Sequence, residues 1–124
     1  MRRILFLGLL TLFLLTGCNS STLSFSEIEN VPKNVQSTIN TDNTLQLIYK
    51  DENSYYVVFH SSGIVTGNVV LTDRTLTIQF EVQDEDKHPL KQHVYILERD
   101  PVQEMIAVTV NGKSTHFDNF TTGL

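Results

Sequence analysis

The feature that most constrains the fold is a period-two alternation of apolar and polar residues in residues 75–82. Leu76, Ile78, Phe80 and Val82 fall on one side of this run, and Thr, Gln and Glu residues fall on the other. Side chains alternate between the two faces of a β-strand, so the pattern predicts a strand with one face in the core and one in solvent. An α-helix would instead need a period near 3.6.

Similar short runs recur along the chain from Leu45 onward, separated by polar turn residues. Residues 45–50 and 55–60 flank a polar turn, residues 67–72 and 75–82 flank Asp73-Arg74, and both pairs are predicted to form hairpins. Further strands are predicted at residues 92–98, 105–110 and 114–117, with Asp100-Pro101 and Asn111-Gly112 as the connecting turns. About six or seven short strands predict an all-β domain, an antiparallel sandwich or open barrel.

The run at residues 55–59, Tyr-Tyr-Val-Val-Phe, is apolar at successive positions and not only at alternate ones. A strand of this kind is predicted to be central and covered on both faces. The lead segment, residues 27–40, is predicted to be irregular or to form one or two helical turns after Pro32, and Val35 and Ile39 are candidates for part of the cover. Gly63 and Gly67 suggest a bend or bulge between them.

Composition excludes several classes of protein. The chain has 124 residues, a net charge of -5 and a single Cys, so a disulfide framework and a Cys-rich metal site are excluded. Its 14 acidic residues outnumber 9 Lys and Arg, whereas nucleic-acid phosphates select basic surfaces. No nucleic-acid partner is expected.

The N-terminus has the pattern of a secretory signal peptide. Arg2 and Arg3 precede an apolar run from Ile4 to Leu15 that contains only Gly8 and Thr11 as interruptions. A membrane-spanning helix needs about 20 apolar residues, and this run is too short.

Leu15, Thr16, Gly17 and Cys18 follow at once, and this tetrad resembles the lipobox of bacterial lipoproteins at all four positions. The resemblance implies that Cys18 receives an S-linked diacylglycerol, and then an N-acyl chain after a signal peptidase that recognises Leu15, Thr16 and Gly17 cuts before it. Such acyl chains anchor a protein durably. The predicted organisation is a cleaved signal peptide at 1–17, a flexible tether at 18–26 and one β-rich domain at 27–124.

The expected location is the extracytoplasmic face of the cell membrane. Loss of Arg2 and Arg3 takes the net charge to -7, so the lipid and not electrostatic attraction is expected to hold the chain at the membrane. A single Ala against nine Asn residues suggests an AT-rich Gram-positive genome. Beyond the lipobox, the chain resembles small uncharacterised lipoproteins of the Gram-positive cell envelope.

The common signatures of enzymes are absent, and no catalytic residue, metal ligand or cofactor is assigned. His60 beside Ser61 and Ser62 could activate a hydroxyl, but neighbouring strand residues face opposite sides, so a polar strand end is the favoured interpretation. The acids at 84–86 lack the spacing of a calcium loop and are interpreted as a solvated hairpin tip. His88 and His93 are interpreted as surface residues.

The sequence therefore predicts a membrane-anchored lipoprotein whose β-rich domain is a binding or interaction module. Two alternatives are an envelope hydrolase that uses His60 and a lipid-tethered scaffold of a larger membrane complex. A contiguous exposed apolar patch would favour the interaction module, and a concave pocket that holds His60 would favour the hydrolase.

Cys18→Ser is expected to leave an unlipidated precursor that keeps its signal peptide, because the thiol is the lipid acceptor. Labelling cells with a radioactive fatty acid measures this, with Ser20→Ala as the control that should label normally. Incorporation of label into the Cys18→Ser protein would show that the lipid is attached elsewhere.

Overall fold

The computed structural model describes residues 23–99 and 105–124, which form nine strands and one helical turn. The elements in chain order are β1 (Ser24–Ile28), α1 (Lys33–Gln36), β2 (Leu45–Asp51), β3 (Ser54–Ser61), β4 (Ile64–Thr72), β5 (Thr75–Gln83), β6 (Lys91–Glu98), β7 (Met105–Val110), β8 (Lys113–Thr115) and β9 (Asn119–Thr121).

The strands form two sheets that pack face to face, which confirms the all-β sandwich. Sheet A has the strand order β1-β6-β3-β2-β9, and sheet B has the order β4-β5-β7-β8. Most neighbours are antiparallel, but β2 with β9 and β5 with β7 are parallel pairs, so both sheets are mixed. Each parallel pair joins strands that a longer connection separates in sequence, as parallel pairing requires.

Strand β3 is central and buried on both faces, as its sequence predicts. Val57 and Phe59 face sheet B in the main core, whereas Tyr56 and Val58 belong to a second apolar cluster on the outer face of sheet A. Val35 of the lead segment is fully buried in that second cluster, with Ile39 packed against it. The lead segment therefore supplies the predicted cover.

The start of the folded domain differs from the predicted boundary. Strand β1 begins at Ser24, inside the segment predicted to be tether, and pairs with β6. The reason is Phe25, whose ring stacks on Tyr95 with centroids 4.7 Å apart and thereby joins the core. The predicted helical turns reduce to α1, a single turn whose first hydrogen bond runs from the Gln36 N–H to the Pro32 carbonyl.

Both predicted hairpins, β2–β3 and β4–β5, are present. The predicted bend between Gly63 and Gly67 is wrong, because β4 starts at Ile64 and pairs with β5 one residue to one throughout. Gly67 is needed for another reason: a Cβ there would lie 3.0 Å from the Phe80 ring and 3.1 Å from the Phe25 ring. Without a side chain at Gly67, both rings can lie against the backbone of β4.

The C-terminal strands extend the predicted order. Asn111 and Gly112 both have positive φ, the requirement of a type I′ turn, and they connect β7 to β8 at residues 113–115. Strand β9 is not predicted from the sequence. It lies beside β2 in sheet A, and directly before it Asp118 accepts hydrogen bonds from the N–H groups of Thr44 and Leu45.

The signal peptide at 1–17 and the lipobox residues Leu15, Thr16, Gly17 and Cys18 lie outside the described residues. Among the residues that are described, no helix is long and apolar enough to cross a membrane.

We expect Val57→Asp and Val58→Asp each to destabilise the domain by about 3 kcal/mol or more, because each buries a carboxylate without a partner on one face of β3. A domain of this size has about 5 to 15 kcal/mol of total stability, so either variant should lose a large part of it. The control is Thr77→Asp on the outer face of sheet B, where a loss below about 1 kcal/mol is expected. Urea melts of the three variants measure the difference, and a Val58→Asp domain as stable as the control would mean that the lead segment does not cover this face.

Candidate functional site

A cavity of about 530 Å³ lies where the first residue of β4 approaches the end of β1 and the start of β6, and we call it the edge cavity. It is open to solvent and combines charged, histidine and apolar side chains. Its lining consists of Glu27, Gly63, Ile64, Val65, His88, Pro89, Leu90, Lys91 and His93.

Glu27 and His93 form the polar part of the edge cavity. The Nδ1 atom of His93 lies 3.0 Å from Oε2 of Glu27. The His93 side chain is only 7% exposed, whereas that of Glu27 is 40% exposed. Glu27 faces Tyr95 in the β1–β6 register, which places it diagonally across from His93 on the same face of the sheet.

This contact fixes the orientation of the imidazole ring. The Glu27 carboxylate can only accept, so the Nδ1–H of His93 donates to it. The Nε2 atom of His93 is buried and has no hydrogen-bond partner among the described residues. A carboxylate that orients a histidine in this way is the arrangement used both by metal-ligating and by proton-transferring histidines.

Tyr95 places a third polar side chain close to Glu27 and His93, on the side toward the core. Burial raises the pKa of the Tyr95 hydroxyl, and the nearby charge of Glu27 raises this pKa further. The hydroxyl makes no hydrogen bond to a described residue. Tyr95 therefore remains a neutral phenol at physiological pH.

The rim of the edge cavity is apolar and unusually exposed. Leu90 is 68% exposed and Ile64 is 50% exposed.

Gly63 borders the cavity because no other residue fits there: a Cβ would lie 2.6 Å from the Gln83 carbonyl oxygen and 2.6 Å from the Val82 side chain. A partner's apolar side chain could contact Leu90 and Ile64 while its polar groups reach Glu27.

A second cavity of about 570 Å³ lies on the outer side of β1, where Gln36 and Gln92 exchange side-chain hydrogen bonds at its wall. Its lining is mainly polar, and it has no exposed apolar side chain of the kind that Leu90 offers. We therefore take the edge cavity as the candidate site.

The structure does not bring His60 and Ser61 together. Alternation along β3 directs Ser61 to the inner face with Phe59, and His60 to the outer face with Val58. The Nδ1 atom of His60 lies 2.8 Å from the Asn43 carbonyl oxygen, and Ser61 Oγ accepts the Gly63 N–H. His60 is absent from the lining of both cavities described above. The interpretation of residues 60–63 as a polar strand end that shapes the next turn is confirmed.

The acidic loop at residues 84–86 connects β5 in sheet B to β6 in sheet A, so it is not the tip of a hairpin. Ser62 anchors it, because Ser62 Oγ accepts the Asp86 N–H and the Ser62 carbonyl accepts the His88 N–H. In the described part of the chain, no group of three or more Asp, Glu, His or Cys residues is arranged to hold a metal ion.

The prediction that both His88 and His93 are surface residues is right for His88 and wrong for His93. The Glu27–His93 pair is not predicted from the sequence, because Glu27 falls in the predicted lead segment, outside the predicted strands. The alternation of Leu23 and Phe25 with Ser24 and Ser26 is the signal that could have identified β1.

No family model, curated protein or solved structure matches the chain. The function is therefore inferred from the geometry of the site and from the sequence motif at the N-terminus.

We expect the Nδ1 atom of His93 to carry a proton in solution, because it donates to the Glu27 carboxylate. Long-range ¹H–¹⁵N correlation spectra report the protonation of each ring nitrogen. The exposed His88, whose ring has no hydrogen bond to a described residue, is the internal reference, and Glu27→Ala should change the ring spectrum of His93 but not that of His88. An unprotonated Nδ1 in the wild-type protein would contradict the contact.

Proposed function

We propose that the chain is a lipoprotein anchored through Cys18 at the extracytoplasmic face of a Gram-positive cell membrane, and that its β sandwich is a binding module for a protein partner. The motif Leu15-Thr16-Gly17-Cys18 directly behind an apolar run supports the anchor. Its diacylglycerol and N-acyl chains would hold the module at the membrane.

The observation that carries the binding proposal is that exposed apolar side chains and the hydrogen-bonded Glu27–His93 pair line one cavity. Leu90 and Ile64 present apolar surface that folding of the described residues leaves uncovered. Beside them, the Glu27 carboxylate keeps acceptor capacity after it receives the His93 N–H. Protein interfaces combine an apolar centre with polar groups that fix orientation in the same way.

The hydrolase hypothesis receives less support from the geometry. His60 is bound to a backbone carbonyl and has no serine or threonine hydroxyl among its hydrogen-bond partners in residues 23–99 and 105–124. The scaffold hypothesis predicts a protein partner as well, and it differs from a binding module only in what the partner does.

A photoreactive amino acid at Leu90 of the full-length protein in its own membrane is expected to cross-link to the partner. The control is the same amino acid at Met105, which is 62% exposed but lies on β7, away from the edge cavity. Products at both positions in equal yield, or at neither, would contradict binding at this cavity.

The partner recovered in this way is then tested for direct binding. Leu90→Asp should weaken its affinity by about tenfold, the loss expected when an apolar anchor worth about 1.4 kcal/mol is removed. Met105→Asp is the matched control and should leave the affinity unchanged. Both side chains are exposed, so neither substitution should unfold the domain.

A further inference from the structure

The second unexplained surface is the open edge of sheet B. Strand β4 is the last strand on its side of the sheet and is nine residues long, Ile-Val-Thr-Gly-Asn-Val-Val-Leu-Thr. It contains no charged residue and no Pro, and its pairing with β5 has no bulge. Charged residues, Pro and bulges are the features that normally prevent an edge strand from pairing with another chain, and β4 has none of them.

The other three edges of the described sheets do carry such devices. Strand β1 has five residues and includes Glu27, whose carboxylate turns inward to His93. Strands β8 and β9 have three residues each, with Lys113 in β8 and Asp118 directly before β9. Strand β4 is therefore the one long, uncharged edge among the described strands.

The hydrogen bonds of β5 show which groups of β4 face outward. On the side of β5 away from β4, the Phe80 carbonyl accepts the Asn111 N–H, and the Val82 N–H donates to Asn111 Oδ1. Their partners across the β4–β5 ladder, Gly67 and Val65, therefore form non-hydrogen-bonded pairs with β5. By alternation, Val65, Gly67, Val69 and Leu71 direct their N–H and C=O groups to the open edge.

These outward N–H and C=O groups can form hydrogen bonds with the same groups of a second, antiparallel copy of β4. When two copies of β4 meet with Asn68 on a two-fold axis, Val65 pairs with Leu71 of the other copy, and Gly67 pairs with Val69. The two-fold axis generates each of these pairs twice, and the resulting four pairs supply about eight inter-strand hydrogen bonds, two from each pair. The two Asn68 side chains become neighbours on the outer face, and their amides can donate and accept reciprocally.

We propose that β4 pairs with β4 of a second copy of this chain, which joins the two B sheets into one continuous eight-stranded sheet. The register covers Leu71, which is 45% exposed, with the apolar Val65 of the other copy. No like charges meet, although the chain as a whole is acidic. A closed two-fold interface of this kind also removes the edge and thus prevents further growth.

The test is cysteine cross-linking of the full-length protein in its membrane. Asn68→Cys should form a disulfide-linked dimer, because a non-hydrogen-bonded pair on the axis has Cα atoms about 4.5 Å apart, within disulfide range. Gln79→Cys is the matched control on the same outer face, directly opposite Asn68 in the hairpin. Its two copies would lie about 14 Å apart, three strand spacings, so the dimer yield should be about tenfold lower.

The register has its own test. Thr66 and Val70 of the other copy are paired in the proposed sheet, so a Thr66→Cys, Val70→Cys double variant should cross-link, and each single variant should not. In the Asn68→Cys background, Leu71→Lys should reduce the dimer about tenfold by placing a charge in the interface, whereas Met105→Lys should not.

The wild-type chain, whose one cysteine is Cys18, gives the background yield. Equal yields at positions 68 and 79 would mean random collision and would overturn the proposal. Equally efficient cross-linking of the Thr66→Cys single variant, or a product of Asn68→Cys with a different protein, would overturn it as well. None of these readouts depends on the edge cavity or its partner, so the two proposals can fail separately.

Discussion

The burial of β3 on both faces is the constraint on which the rest of the structure depends. One face of sheet A must be covered by sheet B, and the other must be covered by the lead segment around Val35. The chain therefore has three layers, although only two of them are sheets. Covering the outer face of sheet A also explains why residues 29–44 form no strand before β2. Without the lead segment, Tyr56 and Val58 would be exposed to water.

The same constraint positions the candidate site. To reach the outer face of sheet A, the chain first adds β1 beside β6, with Phe25 turned into the core. The alternation that turns Phe25 toward the core also turns Glu27 to the same face, one residue before β1 ends at Ile28. His93 is the residue that can meet the carboxylate there, and the contact compensates for placing a charge near the interior.

Sequence reasoning succeeds where a side-chain period reports directly on burial. The alternation in β5 and the doubly apolar run in β3 identify amphipathic and central strands, and Asn111-Gly112 identifies a turn. It fails for β9, which is only three residues long, because the position of so short a strand depends on pairing with a distant strand and not on local propensity. It misses β1 because the alternation there covers only five residues of a Ser-rich segment. The burial of His93 is missed for the same reason, since its partner belongs to one of these strands.

The two proposed surfaces lie on the side of the sandwich that contains β1, the first described strand after Cys18 in sequence. Ile64 belongs both to the edge cavity and to β4, and Phe25 of β1 contacts the middle of β4 at Gly67. Six residue steps separate Cys18 from Ser24, so a lipid on Cys18 would hold the start of β1 within about 21 Å of the membrane surface in any conformation. Confinement to a plane raises the local concentration of chains and limits their relative orientations, which favours pairing through a side that lies near the anchor. Antiparallel pairing of β4 would then direct the two edge cavities to opposite ends of the joined sheet, because Ile64 of each copy lies beside Thr72 of the other. Each cavity would remain open to a separate partner.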